Sequence, residues 1–213
     1  PLRAGQTSLG NTSYWLDSTF EPEFPFGYGL TYTTFEYSAP EIEMTEYTEN
    51  DTIRACVTIK NTGDKEASEV VQLYVSAPQG KLGKAVRVLS AFQKTKELAP
   101  GEETTLHFDI PEYNYASYDD SGVTGYPYAY VLEAGIYHFH VGSSSRATKE
   151  VIFADGANEV QDTILVQQLE QALAPVVDFE RIHPVEKDGK FVISKEKVPV
   201  NQTDLLARIE SRL

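Results

Sequence analysis

The sequence predicts an all-β sandwich. Short stretches of alternating apolar and polar residues recur between positions 35 and 154, turn-forming residues separate them at roughly ten-residue intervals, and no long helical periodicity intervenes. Residues 52–60 (TIRACVTIK) set Ile53, Ala55, Val57 and Ile59 on one face and Thr52, Arg54, Thr58 and Lys60 on the other, the signature of a half-buried strand. Asn61-Thr62-Gly63-Asp64 then supplies turn chemistry, with Gly63 expected in a left-handed conformation. Residues 69–76 (EVVQLYVS) oppose Val71, Leu73 and Val75 to Val70, Gln72 and Tyr74. After a turn at Pro100-Gly101, residues 104–110 repeat the pattern through Leu106, Phe108 and Ile110. Residues 136–141 set Tyr137, Phe139 and Val141 against Ile136, His138 and His140, and 149–154 closes the series. Leu98 and Tyr115 are expected as core or corner residues.

Composition narrows the function. Hydrophobic residues make up 41 % of 213, enough for a packed core. Against 18 basic residues stand 32 acidic ones, a formal net charge of -14 that repels phosphate backbones and anionic membranes. Neither nucleic acid nor membrane is therefore expected as a partner, and no apolar run approaches the roughly 20 residues of a membrane helix. The single cysteine, Cys56, is expected to be a small buried hydrophobe. Its solitude agrees with a reducing compartment, and a bacterial cytoplasm is favoured over other locations. The opening Pro1-Leu2-Arg3 is that expected of a fragment or a processed product.

The flanks differ from the body. Residues 1–34, dense in Gly, Pro and scattered aromatics, read as an irregular linker that packs against a neighbouring domain. Residues 35–155 are the sandwich. Residues 156–213 hold too few apolar side chains for a core of their own and read as a linker or extension needing a partner surface. The spacing of Ile164, Leu165, Leu169 and Leu173 predicts a helix over 160–173, a turn falls at Asp188-Gly189, and residues 204–213 are expected to begin a second helix.

Phe24-Pro25-Phe26-Gly27-Tyr28-Gly29-Leu30-Thr31-Tyr32-Thr33-Thr34-Phe35 resembles a segment of family 3 glycoside hydrolases, the β-glucosidases and their relatives. There it joins an α/β sandwich domain to a fibronectin-III-like domain. Four further blocks follow in the family's order: 57–64 (VTIKNTGD), 69–75 (EVVQLYV), the pair 89–94 (LSAFQK) and 98–102 (LAPGE), and 135–146 with its Val141-Gly142-Ser143. Ala91 departs from the family's usual Gly, and the tyrosine run 113–130 is longer and more aromatic than usual. The resemblance implies an immunoglobulin/fibronectin-III-like antiparallel β-sandwich with an irregular N-terminal segment and a partly helical C-terminal extension. Some relatives carry their domains in reverse order, so the tail is also read as a linker into a following catalytic barrel.

The same resemblance implies that the chain is a non-catalytic structural and interaction module. Family 3 enzymes are retaining, which needs two carboxyls about 5–5.5 Å apart. The family supplies these from its other domains, and its Ser-Asp-Trp-type nucleophile motif is absent here. Asp119-Asp120 and Glu102-Glu103 read as solvated surface. His138 and His140 share a strand face and, with the distant His107, invite a zinc reading; a half-exposed sheet face accommodates two histidines equally well, so no metal and no cofactor is expected. His183 reads as loop. Three sequons, at Asn11, Asn50 and Asn201, bear on the chain only if it is secreted. The sharper candidates are Tyr113, Tyr115, Tyr126, Tyr128 and Tyr130, as contacts to a sugar or to another domain, because tyrosine offers an apolar ring with a polar tip. Trp15, Phe24, Phe26 and Tyr28 are expected to pack the linker against the preceding domain. Expected partners are the other domains of the parent glycosidase, with an oligosaccharide at the tyrosine loop as the alternative function and a homodimer contact as a further one.

Overall fold

Two packed sheets realise the predicted alternation in a computed structural model that describes residues 23–44, 52–153, 158–170, 178–188 and 190–198. The first sheet holds β1 (Phe35–Tyr37), β2 (Glu41–Met44), β3 (Thr52–Asn61) and β6 (Glu103–Pro111). The second holds β4 (Val70–Ser76), β5 (Val88–Lys94), β10 (His138–Gly142) and β11 (Thr148–Glu150), in the order β11-β10-β4-β5. All pairings are antiparallel. β3 is central to its sheet: β6 pairs along its whole length on one edge, while β1 and β2 follow one another along the other, opposite residues 59–61 and 54–56.

The inward faces are those the alternation marks. Ile53, Ala55, Val57, Ile59, Phe108 and Ile110 from the first sheet meet Val71, Leu73, Val75, Phe139 and Val141 from the second, all buried. At about 25 cal/mol per Å² of apolar area removed from water, this layer is the main source of stability. Leu98 is fully buried and Tyr115 is 7 % exposed, wedged edge-on between Tyr137 and Phe139. Cys56, on the opposite face of β3 from this core, is only half-buried.

Asn61, at the head of the Asn-Thr-Gly turn, is fully buried and its side chain is saturated. Its Oδ1 accepts from Thr33 Oγ1 at 2.7 Å and from the Gly63 amide at 3.1 Å, and its Nδ2 donates to the carbonyls of Lys65 and Leu98 at 2.7 Å. Gly63 does not take the left-handed conformation expected of it; the residues with positive φ lie elsewhere. Close approach demands glycine instead, since a Cβ at Gly63 would fall 2.1 Å from Thr33 Oγ1 and 2.9 Å from the Thr34 amide. Gly101, at φ 81 after Pro100, fills the left-handed place of its turn.

The extension forms strands where a helix was expected. β12 (Glu159–Val160) pairs with β9 (Gly135–Ile136), and β13 (Ile164–Gln168) pairs with β8 (Ala129–Leu132), which in turn pairs with β7 (Ser117–Asp119). Helical spacing of Ile164, Leu165 and Leu169 loses because the open edge of β8 offers ladder hydrogen bonds, and Val160 and Val166 reach the core from extended backbone. The rest of the 160–173 helix beyond residue 170, and the 204–213 helix, lie outside the described residues. β14 (Phe179–Lys187) and β15 (Lys190–Val198) form a hairpin around the predicted Asp188-Gly189 turn, with Asp188 at φ 53. His183, expected in a loop, lies within β14.

Candidate functional site

Two surfaces gather the candidate residues. The first is the outer face of the second sheet. β4 is buried on both faces, because the segment 24–28 lies over its outer side. A turn closes there with the Tyr28 amide donating to the Pro25 carbonyl at 3.0 Å, and Gly27 takes φ 80. Gln72 Nε2 bridges the Gly27 carbonyl at 3.0 Å and the Ser143 carbonyl at 2.7 Å, and Tyr74 donates to Gln72 Oε1. The Phe26 ring meets Tyr74 edge-on, 6.4 Å between centroids. The motif's rings point outward nonetheless: Phe24 is 63 %, Phe26 68 % and Tyr28 46 % exposed. Phe92, opposite Gln72 in the ladder and therefore on the same face, is 67 % exposed. Trp15 lies outside the described residues.

The second surface surrounds the tyrosine run. Tyr113 and Tyr130 touch at 4.6 Å between ring centroids and Tyr118 meets Tyr130 at 5.4 Å, so three rings form one partly exposed cluster. Tyr126 packs instead on the small cluster of Leu82, Ala129 and Val131. Tyr128 stands at φ 60, where its carbonyl accepts from the Leu169 amide at 3.1 Å. Tyr115 is core. The five tyrosines singled out in sequence thus part company, and Tyr118, not among them, joins the cluster.

Buried charges hold the neighbouring loops. Asp119, expected as solvated surface, is fully buried at the base of the 119–128 loop. Its Oδ1 accepts from the amides of Ser121 (3.1 Å) and Gly122 (2.7 Å), and its Oδ2 from the Thr124 amide (2.9 Å) and hydroxyl (2.7 Å). Burial works to raise its pKa, but these hydrogen bonds outweigh burial and hold the carboxyl below its ordinary range. Glu133, 4 % exposed, receives the Lys81 and Leu82 amides at 2.6 and 3.1 Å and pairs with Lys84 Nζ at 2.8 Å. Lys84 also donates to the Pro78 carbonyl at 2.9 Å, and desolvation pulls its pKa down despite the carboxylate. Arg181, from β14, donates to the Lys81 carbonyl at 3.1 Å and to Asp120 and Ser121, docking the hairpin on both loops.

A cleft of about 200 Å³ is lined by Tyr118 and Tyr130, by Arg181 and Ile182 of the docked hairpin, and by Lys84 and Val75. Sequence reasoning missed Glu133, Lys84 and Arg181. Their signals are faint: an acid beside the apolar run 129–132, a lysine between Gly83 and Ala85, and an arginine in the alternating 179–182.

The histidines form a lesser group. His138 Nδ1 is 2.7 Å from Glu150 Oε1 and its ring stacks on His140 at 6.4 Å. Burial, then the nearby Arg87, pushes the His140 pKa down to about 4. Among the described residues, no three His, Cys, Asp or Glu side chains are placed to hold a metal ion, and no helix is long and apolar enough to cross a membrane.

This architecture is that of a fibronectin type III-like domain, and the family model of that description matches residues 69–145. A β-glucosidase of Ruminococcus albus is 46 % identical over 185 residues, covering 87 % of this chain and 18 % of that protein. The crystal structure of a β-glucosidase from Paenibacillus barengoltzii superposes with a TM-score of 0.78 at 44 % identity, over 90 % of this chain and 21 % of that one. A family 3 β-glucosidase from Bifidobacterium adolescentis gives 0.54 at 26 % identity, over 74 % and 20 %. The chain is a fibronectin III-like module of the family 3 glycoside hydrolases. It spans about a fifth of the length of these relatives. The first two matches are long enough to take in part of the extension beyond residue 155.

Proposed function

We propose that this chain braces the catalytic domains of a β-glucosidase-type, retaining family 3 glycosidase, and that its contribution is mechanical rather than chemical. The observation that carries this is the apolar outer face of the second sheet. Phe24, Phe26, Tyr28, Val70 and Phe92 are all at least 40 % exposed and crowd around Gln72 and Gly27. Exposed aromatics gathered on one rigid face mark an interaction surface, and the segment that presents them is also the one through which the preceding domain would connect. The division of the chain is read accordingly: 1–34 linker, 35–155 sandwich, 156–213 extension toward a further domain. The expected assay result is no turnover of an aryl β-glucoside by this chain, together with turnover by the longer enzyme that contains it. Turnover by the chain alone would sink the reading.

A second reading is favoured by the Tyr113–Tyr130–Tyr118 cluster. Tyr113 is 48 % exposed and leaves a ring face for the C–H face of a sugar, so the module would also hold carbohydrate near the parent's active site.

A further inference from the structure

We infer that the cleft beneath the C-terminal hairpin is a binding site for a single hexopyranose ring, built jointly by the sandwich and the extension. The inference rests on the carbohydrate reading and assigns it a place, a size and a second wall.

One wall is aromatic. Tyr118 and Tyr130 lean on each other at 5.4 Å with ring planes inclined by 51°, and both line the cleft. Inclined rings lining a cleft offer apolar carbon surface to a body bearing axial C–H groups. The cleft's charged lining is held in place. The side chain of Arg181 is 9 % exposed and that of Lys84 is 6 % exposed, and each is anchored by a carboxylate. An ammonium carries three protons, and Glu133 and the Pro78 carbonyl take two of those on Lys84, leaving a third donor for a ligand hydroxyl. Rings and fixed donors lining one cleft suit a neutral polyol with one apolar face.

Size narrows the class. At about 200 Å³ the cleft is smaller than the roughly 300–1,000 Å³ of sites for larger organic ligands, so it takes one ring and not a chain. The hairpin is necessary to it. Arg181, on Asp120, Ser121 and the Lys81 carbonyl, anchors the Ile182 segment at the cleft, and Gly83 lets it close in: a Cβ there would fall 2.2 Å from the Ile182 carbonyl oxygen. The extension therefore completes a site as well as covering an edge.

The test is calorimetric and NMR titration of the full chain with methyl β-glucoside, phenyl β-glucoside and cellobiose. Methyl β-glucoside is expected to saturate, with shifted amides at 82–85, 117–118 and 181–182. Tyr118→Ala should weaken it about tenfold, as loss of one ring contact implies. Tyr118 also packs on Tyr130 within the fold, so Ala85→Trp provides the second variant; Ala85 is exposed at the cleft, and its replacement blocks entry without disturbing the core. Both variants should weaken binding more than Tyr113→Ala does, since Tyr113 packs on Tyr130 but does not itself line the cleft. Sugar binding lost in Tyr113→Ala but kept in the other two would place the sugar on the outer ring and overturn the cleft while sparing the carbohydrate reading. Binding of the phenyl glucoside alone would assign the cleft to an aromatic group and overturn the hexose. No binding of any sugar would overturn both.

Discussion

The side-chain amide of Gln72 and the carbonyl of Gly27 stand 3.0 Å apart, and that contact seals the outer face of β4. Gln72 has no other room: a Cβ at Gly27 would fall 2.0 Å from Gln72 Oε1 and 2.4 Å from the Tyr74 hydroxyl. Gly27 also sits at φ 80, where an L side chain is strained. Gly27→Ala should therefore cost about 1–3 kcal/mol in urea unfolding of the chain. It should also free the 24–28 segment to hydrogen exchange. A neutral substitution would mean that the segment is not seated on β4.

Asn61 presents a second measurable case. Asn61→Ala takes a partner from the Lys65 carbonyl, the Gly63 amide and the Thr33 hydroxyl together, and leaves the Leu98 carbonyl only its bond from the Ala67 amide. Buried unmade hydrogen bonds cost about 1–3 kcal/mol each, so a loss of at least about 2 kcal/mol is expected from chemical denaturation. Asn61→Asp, which keeps the acceptor but turns both donors into acceptors facing carbonyls, should be no milder.

The Lys84–Glu133 pair should respond asymmetrically. Glu133→Ala leaves a buried ammonium without its carboxylate and the Lys81 and Leu82 amides without their acceptor, and should cost about 3–5 kcal/mol. Lys84→Met removes a desolvated charge while Glu133 keeps both amide donors, so it should cost distinctly less. A double-mutant cycle reads the difference, and equal costs would show that the two amide contacts contribute nothing.

Acid should destabilise the chain partly through His140. Its folded pKa, about 4, lies below the ordinary value of 6.5, so between these values the unfolded chain binds the proton that the folded one refuses. Stability is full above pH 6.5 and falls as pH drops toward 4. His140→Gln should flatten that part of the profile. Asp119 acts lower: its carboxyl is held down in the folded state, so its contribution persists above the unfolded value of about 3.9 and fades only in stronger acid. A profile in which His140→Gln keeps the wild-type slope between pH 4 and 6.5 would remove His140 as its cause.

Arg181→Ala should release the hairpin. Charged hydrogen bonds contribute about 1.5–3 kcal/mol each, which corresponds to about ten- to hundred-fold faster local opening. Hydrogen exchange of β14 and β15 reads this directly, with the β3 amides as the unchanged control.

How much of this was legible in the sequence follows from what each residue needs. Strands such as β3 and β6 carry their period in the side chains, and Ile53, Ala55, Val57 and Ile59 announce their face without help from the rest of the chain. β13 does not: the same residues satisfy a helix, and only the free edge of β8, formed thirty residues earlier, decides for a strand. Gly63 read as a turn glycine free to be left-handed, whereas its constraint is close approach to Thr33, across the sheet edge. Asp119 looked like one of two surface acids because its partners are backbone amides of its own loop, which composition does not reveal. The tyrosines were legible as a group. Their division into core (Tyr115), cluster (Tyr113, Tyr130) and loop anchor (Tyr128) depends on backbone directions that no local pattern encodes.

The bracing role is tested most directly by thermal unfolding of the Phe26→Ser/Phe92→Ser double variant, made in this chain alone and in the longer enzyme that contains it. Both rings are about two-thirds exposed here, so the isolated chain should unfold at nearly its original temperature. In the longer enzyme the variant should unfold earlier, at a temperature shifted by about 2–4 °C for each kcal/mol of docking energy lost. An unchanged transition in the longer enzyme would contradict the account, because the apolar face would then carry no domain.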